Sequence, residues 1–255
     1  MKKLIILFSV VIALLSFIFF NITFRKRVDY NVHGIDISHY QKDVDFKEVV
    51  NDGFSFVFMK ATEGKHIKDH HFDKNWKAAH QEGIIKSAYH FYRPKVDPYA
   101  QVDWFVKHVK LGKGDLPPVL DVETFDGVPI DTIRENVSIW LNLIEKKYGI
   151  RPIIYTNHSF YHDVFYNRKA FEKYPIWIAA YGKVFKPILK DERKDWSMWQ
   201  YTDRGNSRGI EGDVDLNVFH GTIEDLKRMC IPGKYEVEDL KIHIPKSLPK
   251  VGYSK

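Results

Sequence analysis

Short apolar segments alternate with amphipathic helical stretches along most of this chain of 255 residues. Such alternation is typical of an α/β fold, in which helices connect the strands of one sheet or barrel. Eight strands are predicted, and helix becomes scarce between the last of them, which favours an irregular barrel. The predicted strands are residues 33–38, 54–61, 84–92, 116–124, 152–156, 175–180, 196–201 and 212–218.

Asp121 and Glu123 close the fourth predicted strand, which is short, apolar and opened by Pro117 and Pro118. Side chains alternate along a strand, so both carboxylates share one face at its C-terminal end, where barrel enzymes carry their active sites. Repulsion and desolvation raise the pKa of one of two such neighbours, so that it can hold a proton near neutral pH. One acid beside one anion is the pair that glycoside hydrolysis needs.

Helices are predicted between the strands from their periodicity and capping signals. Asp97 is an N-cap followed by proline at the first helical position. Thr132 and Glu135 have the spacing of a capping box, which predicts a long helix that stops at Gly149. The three earlier helices are predicted over residues 44–51, 72–81 and 98–111.

The formal net charge of +6 arises at the two ends of the chain. Residues 1–27 contain five Lys/Arg and no acid, and residues 227–255 contain seven Lys/Arg against three Asp/Glu. The intervening residues 28–226 hold 27 Lys/Arg and 30 Asp/Glu, so no nucleic-acid partner is expected. The single cysteine, Cys230, leaves no disulfide framework or cysteine-based metal site and is expected to be a buried thiol.

An uncharged, almost wholly apolar run begins at Leu4 and extends to Phe24, a length that can span a bilayer. Two lysines precede the run, and Arg25 follows it where a secretory signal would have a small-residue cleavage site. We therefore expect a transmembrane anchor, and a secreted protein only if this segment is cleaved. The predicted domains are an N-terminal anchor or signal segment at 1–28, a catalytic barrel at 29–226 and a basic tail at 227–255.

Several predicted strands finish in polar or aromatic residues that would meet at one rim of the barrel. A rim that collects carboxylates and rings suits a sugar, because pyranose faces stack on rings while hydroxyl and acetamido groups form hydrogen bonds. The strand ends carry Asp36, Lys60, Tyr89, Phe91, Tyr155, Trp177, Gln200, Tyr201 and Asp215.

These strand ends belong to motifs that follow one another in a fixed order. The motifs are Gly34-Ile35-Asp36-Ile37-Ser38 with Gln41, Phe58-Met59-Lys60-Ala61-Thr62-Glu63-Gly64, Tyr89-His90-Phe91, Asp121-Val122-Glu123, Ile154-Tyr155-Thr156, Trp177-Ile178-Ala179, Trp199-Gln200-Tyr201 and Val214-Asp215-Leu216-Asn217. From about residue 32 to residue 222, the chain resembles glycoside hydrolase family 25, the Chalaropsis-type lysozymes or N-acetylmuramidases. The resemblance implies one TIM-like barrel of about five β/α units plus three strands with little helix. It also implies cleavage of the β-1,4 bond between N-acetylmuramic acid and N-acetylglucosamine in peptidoglycan.

The resemblance assigns roles to individual residues. It implies that Glu123 is the general acid, that Asp121 is its partner carboxylate, and that Asp36 and Asp215 complete the catalytic set. Asp213 lies on the same strand face as Asp215, but Asp215 occupies the family's motif position. The implied substrate-binding residues are Tyr89, Phe91, Tyr155, Trp177, Gln200, Tyr201 and Lys60. No metal or cofactor is expected, and the protein is expected to be a monomer anchored in the membrane with its barrel in the periplasm or at the cell surface.

Two mechanisms are compatible with these residues. In one, Glu123 protonates the glycosidic oxygen while Asp121 positions or polarises the substrate's 2-acetamido group, which attacks the anomeric carbon. In the other, a more distant carboxylate, Asp36 or Asp215, activates water and inverts the configuration. The sequence does not give the distances between these carboxyl groups, so both mechanisms stay open.

Three other interpretations are weighed against this function. A non-catalytic glycan-binding protein on the same barrel would more often have lost one of the four carboxylates, and all four are present. A chitin-type N-acetylglucosaminidase would use the same acid and acetamido chemistry. His66 and His70 have helical metal-ligand spacing but no glutamate between them, which favours an exposed loop over a metal site.

Overall fold

A computed structural model describes residues 8, 11–12, 30–182, 186–189 and 195–232. The strands in this part of the chain are β1 His33–Ile37, β2 Phe56–Glu63, β3 Ile67–Lys68, β4 Ile85–Phe91, β5 Val119–Asp121, β6 Ile153–Asn157, β7 Ile176–Ala179, β8 Met198–Gly205 and β9 Val214–Phe219. All of them except β3 close into a barrel in the order β1-β9-β8-β7-β6-β5-β4-β2, and β2 pairs with β1 to complete the ring. The short β3 forms a hairpin with the end of β2.

The β/α barrel predicted from the sequence is confirmed, and its pairing explains where the site lies. The pairs from β1–β2 round to β7–β8 are parallel, so their C-terminal ends meet at one rim. The last strand, β9, is antiparallel to both β8 and β1, and therefore begins at that rim. Residues from the ends of the parallel strands and from the start of β9 are thus brought together.

The helices cover the outside of the barrel and one of its ends. Among the described residues the longer helices are α1 Phe46–Asn51, α2 Phe72–Gln81, α3 Pro98–His108, α4 Ile130–Tyr148 and α5 Ile223–Met229, and shorter helical segments are His39–Gln41, His158–Phe160, Tyr161–Phe165 and Lys169–Phe171. The Asp97 carboxylate caps α3 by accepting from the Ala100 amide at 3.1 Å, as predicted. The predicted capping box is wrong, because α4 begins directly after Pro129 and Thr132 already lies in its first turn. Gly149 ends α4 in the left-handed conformation that favours glycine.

Apolar side chains pack on both sides of the barrel wall. One cluster fills the interior and includes Phe58, Val119 and Trp177, whereas a larger one lies between the strands and the helices. Leu226 of α5 and the neighbouring Cys230 belong to the interior cluster, since α5 follows β9 at the end of the barrel opposite the rim. Cys230 is buried, as predicted.

The prediction of a transmembrane helix is corrected by the structure. Among the residues that it describes, no helix combines the length and the apolar character needed to cross a membrane. The apolar run predicted as an anchor falls outside the described residues except at positions 8, 11 and 12, and the tail does so from residue 233. The predicted domain boundaries at residues 28 and 226 stay predictions.

Candidate active site

The four predicted catalytic carboxylates meet at the rim of the barrel. Asp36 of β1 lies directly opposite Asp215 of β9 in the antiparallel pair. Asp121 is the last residue of β5, and Glu123 follows just beyond the strand end. Burial is the largest cause that raises the pKa of Asp121, of Glu123 and of Asp215, and the charge of Asp36 raises each of these pKa values further. The four side chains therefore form one electrostatic cluster.

Two side-chain amides hold Asp36. Gln200 Nε2 and Asn217 Nδ2 each donate to Asp36 Oδ2 at 2.8 Å. The orientation of Asn217 follows from Trp177, whose ring nitrogen can only donate and lies 2.7 Å from Asn217 Oδ1. Since Asp36 is only 6% exposed, these amides replace the water that a carboxylate would otherwise bind.

Two tyrosines orient Gln200 in turn. The hydroxyl groups of Tyr155 and Tyr181 donate to Gln200 Oε1 at 2.7 and 2.6 Å, which leaves Nε2 for Asp36. Tyr181 follows β7 and is 44% exposed, so it reaches this network from the mouth of the barrel.

Sequence reasoning missed both Tyr181 and Asn217 as site residues. Asn217 was identifiable, because it lies two residues after Asp215 and therefore shares its strand face. Tyr181 has a weaker signal, which is its position just after a strand whose C-terminal end lies at the rim.

Asp36 and Asp215 share a proton. Burial, the charge of Asp36 and the hydrogen bond to Asp36 raise the pKa of Asp215 to about 9. Burial also raises the pKa of Asp36, although the hydrogen bonds from Asn217, Gln200 and Asp215 oppose that rise. At neutral pH Asp215 therefore keeps its proton, which it donates to Asp36.

Asp121 and Glu123 are less fully satisfied than this pair. Asp121 is 6% exposed, and its Oδ1 has no hydrogen-bond partner among the described residues. Burial and then the charge of Glu123 raise the pKa of Asp121 well above its usual range. Glu123 is half-buried, and burial followed by the charge of Asp36 raises its pKa as well. Glu123 thus keeps its proton to a higher pH than an ordinary glutamic acid and can still reach a ligand.

Lys60 acts on this carboxylate cluster from β2. Its charge lowers the pKa of Asp121 and of Glu123, against the larger effect of burial. Its Nζ donates to Glu63 Oε2 at 2.6 Å, and its side chain is 14% exposed. Lys60 therefore limits how far the carboxylate pKa values rise.

The aromatic residues predicted to bind substrate lie at two depths in the barrel, some half-buried at the rim and others buried in the interior. Tyr89 and Phe91 are half-buried on β4, where Phe91 pairs with Asp121 across the strands. Tyr155 and Trp177 are buried, with ring centroids 4.4 Å apart, and contribute hydrogen-bond donors to the network around Asp36. Only the first two offer ring surface at the rim.

Tyr201 does not belong to the site, and its predicted place in the groove is corrected. It is buried in the outer cluster, with its ring centroid 5.9 Å from that of Trp199. Gln200 faces the barrel interior, so strand alternation turns its neighbour Tyr201 outward. Asp213 is exposed, and its backbone oxygen accepts from Gln41 Nε2 at 3.1 Å.

The histidine segment considered as a metal site lies on the surface. His66 and His70 are exposed, and the His70 ring packs against His71 with centroids 4.5 Å apart. Within the part of the chain that the structure describes, no three or more His, Cys, Asp or Glu side chains are arranged to hold a metal ion.

Comparison with known proteins identifies close likenesses. Residues 35–210 match the family described as Glycosyl hydrolases family 25, a range that includes Asp36, Asp121 and Glu123 and stops before Asp215. The uncharacterized protein YegX of Escherichia coli (strain K12) is 38% identical over 208 residues, which are 80% of this chain and 75% of that protein.

Two further likenesses carry a functional or structural description. Lysozyme M1 of Streptomyces globisporus is 35% identical over 203 residues, which are 75% of this chain and 68% of that protein. The solved structure of a family 25 glycosyl hydrolase from Bacillus anthracis is 33% identical with a TM-score of 0.72, and the match covers 78% of this chain and 94% of that one. Sequence and fold therefore agree over most of the barrel.

Replacing Asp215 with asparagine is expected to change how stability depends on pH. Since the pKa of Asp215 is raised from 3.8 to about 9 on folding, the folded protein binds more protons in that window and its free energy of unfolding falls as pH rises through it. The Asp215→Asn amide still donates to Asp36 but does not titrate. In urea unfolding, the free energy of unfolding of the variant should rise relative to that of the wild type between about pH 4 and about pH 9. Asp213→Asn, an exposed control, should follow the wild type, and a constant difference between D215N and wild type would contradict the shared proton.

Proposed function

We propose that this chain, which belongs to glycosyl hydrolase family 25 and is a glycoside hydrolase acting on peptidoglycan, cleaves the β-1,4 bond between N-acetylmuramic acid and N-acetylglucosamine. The observation that carries the proposal is the pairing of half-buried Glu123 with buried Asp121, whose Oδ1 has no partner among the described residues. Similarity to lysozyme M1 supports the choice of bond.

Glu123 serves as the general acid in this proposal. Its raised pKa keeps the proton available to a higher pH than in an ordinary glutamic acid, and its partial exposure lets the carboxyl group reach the glycosidic oxygen. As the bond between the anomeric carbon and that oxygen breaks, the proton of Glu123 passes to the departing sugar. The resulting Glu123 carboxylate then accepts a proton from the water that completes hydrolysis.

Asp121 positions the 2-acetamido group of the substrate. The acetamido N–H is a donor that can satisfy Asp121 Oδ1, and the acetamido oxygen is then turned toward the anomeric carbon. Attack by that oxygen forms a bond to the anomeric carbon while the glycosidic bond breaks, and water later opens the cyclic intermediate. Binding of the acetamido donor favours the ionised form of Asp121 against the raised pKa that burial gives it, and the carboxylate then stabilises the positive charge that develops on the acetamido group.

The state of Asp36 and Asp215 argues against the inverting alternative. A general base must be free to accept a proton from water, yet Asp36 Oδ2 already accepts from Gln200 and Asn217. Asp215 holds the proton of the pair at neutral pH, because its pKa is about 9. These two residues are therefore better suited to shaping the site than to activating water.

The choice of bond is tested by digesting purified peptidoglycan with the protein, reducing the products with borohydride and identifying the new ends by mass spectrometry. We expect new muramitol ends, because cleavage of the proposed bond frees the anomeric carbon of N-acetylmuramic acid, which borohydride then reduces. New glucosaminitol ends would show that the other β-1,4 bond is cut. No new ends from folded protein would favour a glycan-binding function.

Two variants control this digestion. Glu123→Gln removes the transferable proton and should lower the rate by about 10²-fold or more without unfolding the protein. Glu135→Gln changes an exposed residue of α4 and should leave the rate unchanged. Near-normal cleavage by E123Q would refute the role of Glu123.

Replacing Lys60 with methionine is expected to move the pH dependence of cleavage. Lys60 lowers the pKa of Glu123, so its loss raises that pKa and shifts the alkaline limb of the rate profile, where Glu123 loses its proton, to higher pH. Rates measured across pH for Lys60→Met, with exposed Lys65→Met as the matched control, test this. An unmoved or acid-shifted limb in K60M would contradict the electrostatic role of Lys60.

A further inference from the structure

Lys60, Glu63 and Arg93 form a group at the rim in which two cations share one carboxylate, here called the rim cation cluster. Lys60 Nζ donates to Glu63 Oε2 at 2.6 Å, while Arg93 Nε and Nη2 donate to Glu63 Oε1 at 2.9 and 2.5 Å. Both cations lie over the ring of Phe91, with Lys60 Nζ 4.9 Å and Arg93 Cζ 4.6 Å from its centroid. One carboxylate cannot neutralise two cations, so the cluster keeps a net positive charge.

The rim cation cluster adjoins the proposed catalytic pair. Glu63 pairs with Phe91 across β2 and β4, and Phe91 pairs with Asp121 across β4 and β5. The charge of Lys60 acts on both Asp121 and Glu123. The cluster is therefore the positive side of a site whose proposed catalytic groups are all carboxyl groups.

Arg93 is the part of the cluster that a ligand can reach. Its side chain is 39% exposed, whereas those of Lys60 and Glu63 are 14% and 12% exposed. Glu63 occupies Nε and Nη2 of the guanidinium, and Nη1 has no partner among the described residues. A guanidinium fixed by a carboxylate at one edge and a ring at one face is preorganised, and its remaining N–H groups suit an incoming anion.

We propose that Arg93 binds a carboxylate carried by the muramic acid residue of the glycan, a role that rests on the proposed function. Muramic acid differs from N-acetylglucosamine by a lactyl ether that ends in a carboxyl group, which is either free or linked to a peptide stem with carboxylates of its own. Carboxylates at the barrel mouth repel such a substrate, and the rim cation cluster offsets that repulsion. Arg93 thereby favours acid-bearing glycans over uncharged chitin-type ones.

Binding to the Glu123→Gln protein, which does not consume the ligand, isolates this contact. The probe is a soluble four-sugar fragment of alternating N-acetylglucosamine and N-acetylmuramic acid. It is prepared with peptide stems, without stems and with free lactyl carboxylates, or without stems and with those carboxylates converted to methylamides. Calorimetric titration compares E123Q with E123Q/R93Q. The second substitution should weaken binding of a carboxylate form about three- to tenfold and leave the methylamide form unchanged.

The three ligands separate the outcomes. If R93Q weakens binding of the stem-bearing ligand alone, Arg93 binds a carboxylate of the peptide stem. If it weakens binding of the ligand with free lactyl carboxylates alone, Arg93 binds the lactyl carboxylate. Either result supports the proposal. Equal affinities of both proteins for every form, absence of binding, or equal weakening that includes the methylamide would overturn it. Arg93→Lys keeps the charge and should retain more affinity than R93Q.

A matched arginine controls for a general change of charge. Arg151 is exposed, lies near Glu145 with a closest distance of 3.7 Å, and precedes β6 at the end of the barrel away from the rim. Arg151→Gln in the same background should bind all three ligands as the parent does. Because affinity is read without turnover, a failure to cleave peptidoglycan would count against the proposed function and leave the Arg93 result interpretable.

Discussion

The burial of four carboxylates at the mouth of one barrel is the constraint on which the rest of this structure depends. Removing an ionised carboxylate from water costs several kcal/mol unless other groups take over its solvation or its charge. Amides solvate Asp36, a shared proton neutralises Asp215, and Lys60 supplies an opposing charge. The interior aromatic residues Tyr155 and Trp177 serve the same end, because their polar atoms orient those amides. Core packing and site chemistry are one network.

The two pairs of carboxyl groups differ in how well their polar atoms are satisfied. Asp36 and Asp215 satisfy each other, whereas Asp121 and Glu123 keep raised pKa values and, at Asp121 Oδ1, an unused acceptor among the described residues. A ligand gains most binding free energy by donating a hydrogen bond to Asp121 Oδ1, because that bond also removes the cost of leaving a buried acceptor unsatisfied. The proposed mechanism follows from this asymmetry, and the rim cation cluster explains how an anionic glycan can approach so many acids.

Patterns that depend on nearby residues were readable from the sequence, and those that depend on distant ones were not. Apolar segments located all eight barrel strands, and alternation placed Asp121 and Glu123 together at the C-terminal end of β5, although the strand itself stops at Asp121. The same alternation, applied to Gln200 and Tyr201, permits only one of them to face inward, and the structure selects Gln200. The roles of Tyr181 and Arg93 depend on partners from other strands, and the start of α4 depends on where Pro129 places the chain. No local pattern contains that information.

The most direct test of the proposed mechanism is the configuration of the first product formed from a peptidoglycan fragment, read by proton NMR of the new anomeric centre before it equilibrates. Attack by the acetamido oxygen followed by attack of water inverts the anomeric carbon twice, so the new muramic acid end should appear first as the β anomer. Initial appearance of the α anomer would mean a single inversion by water. That result would contradict the role given to Asp121 and return Asp36 and Asp215 to consideration as the base.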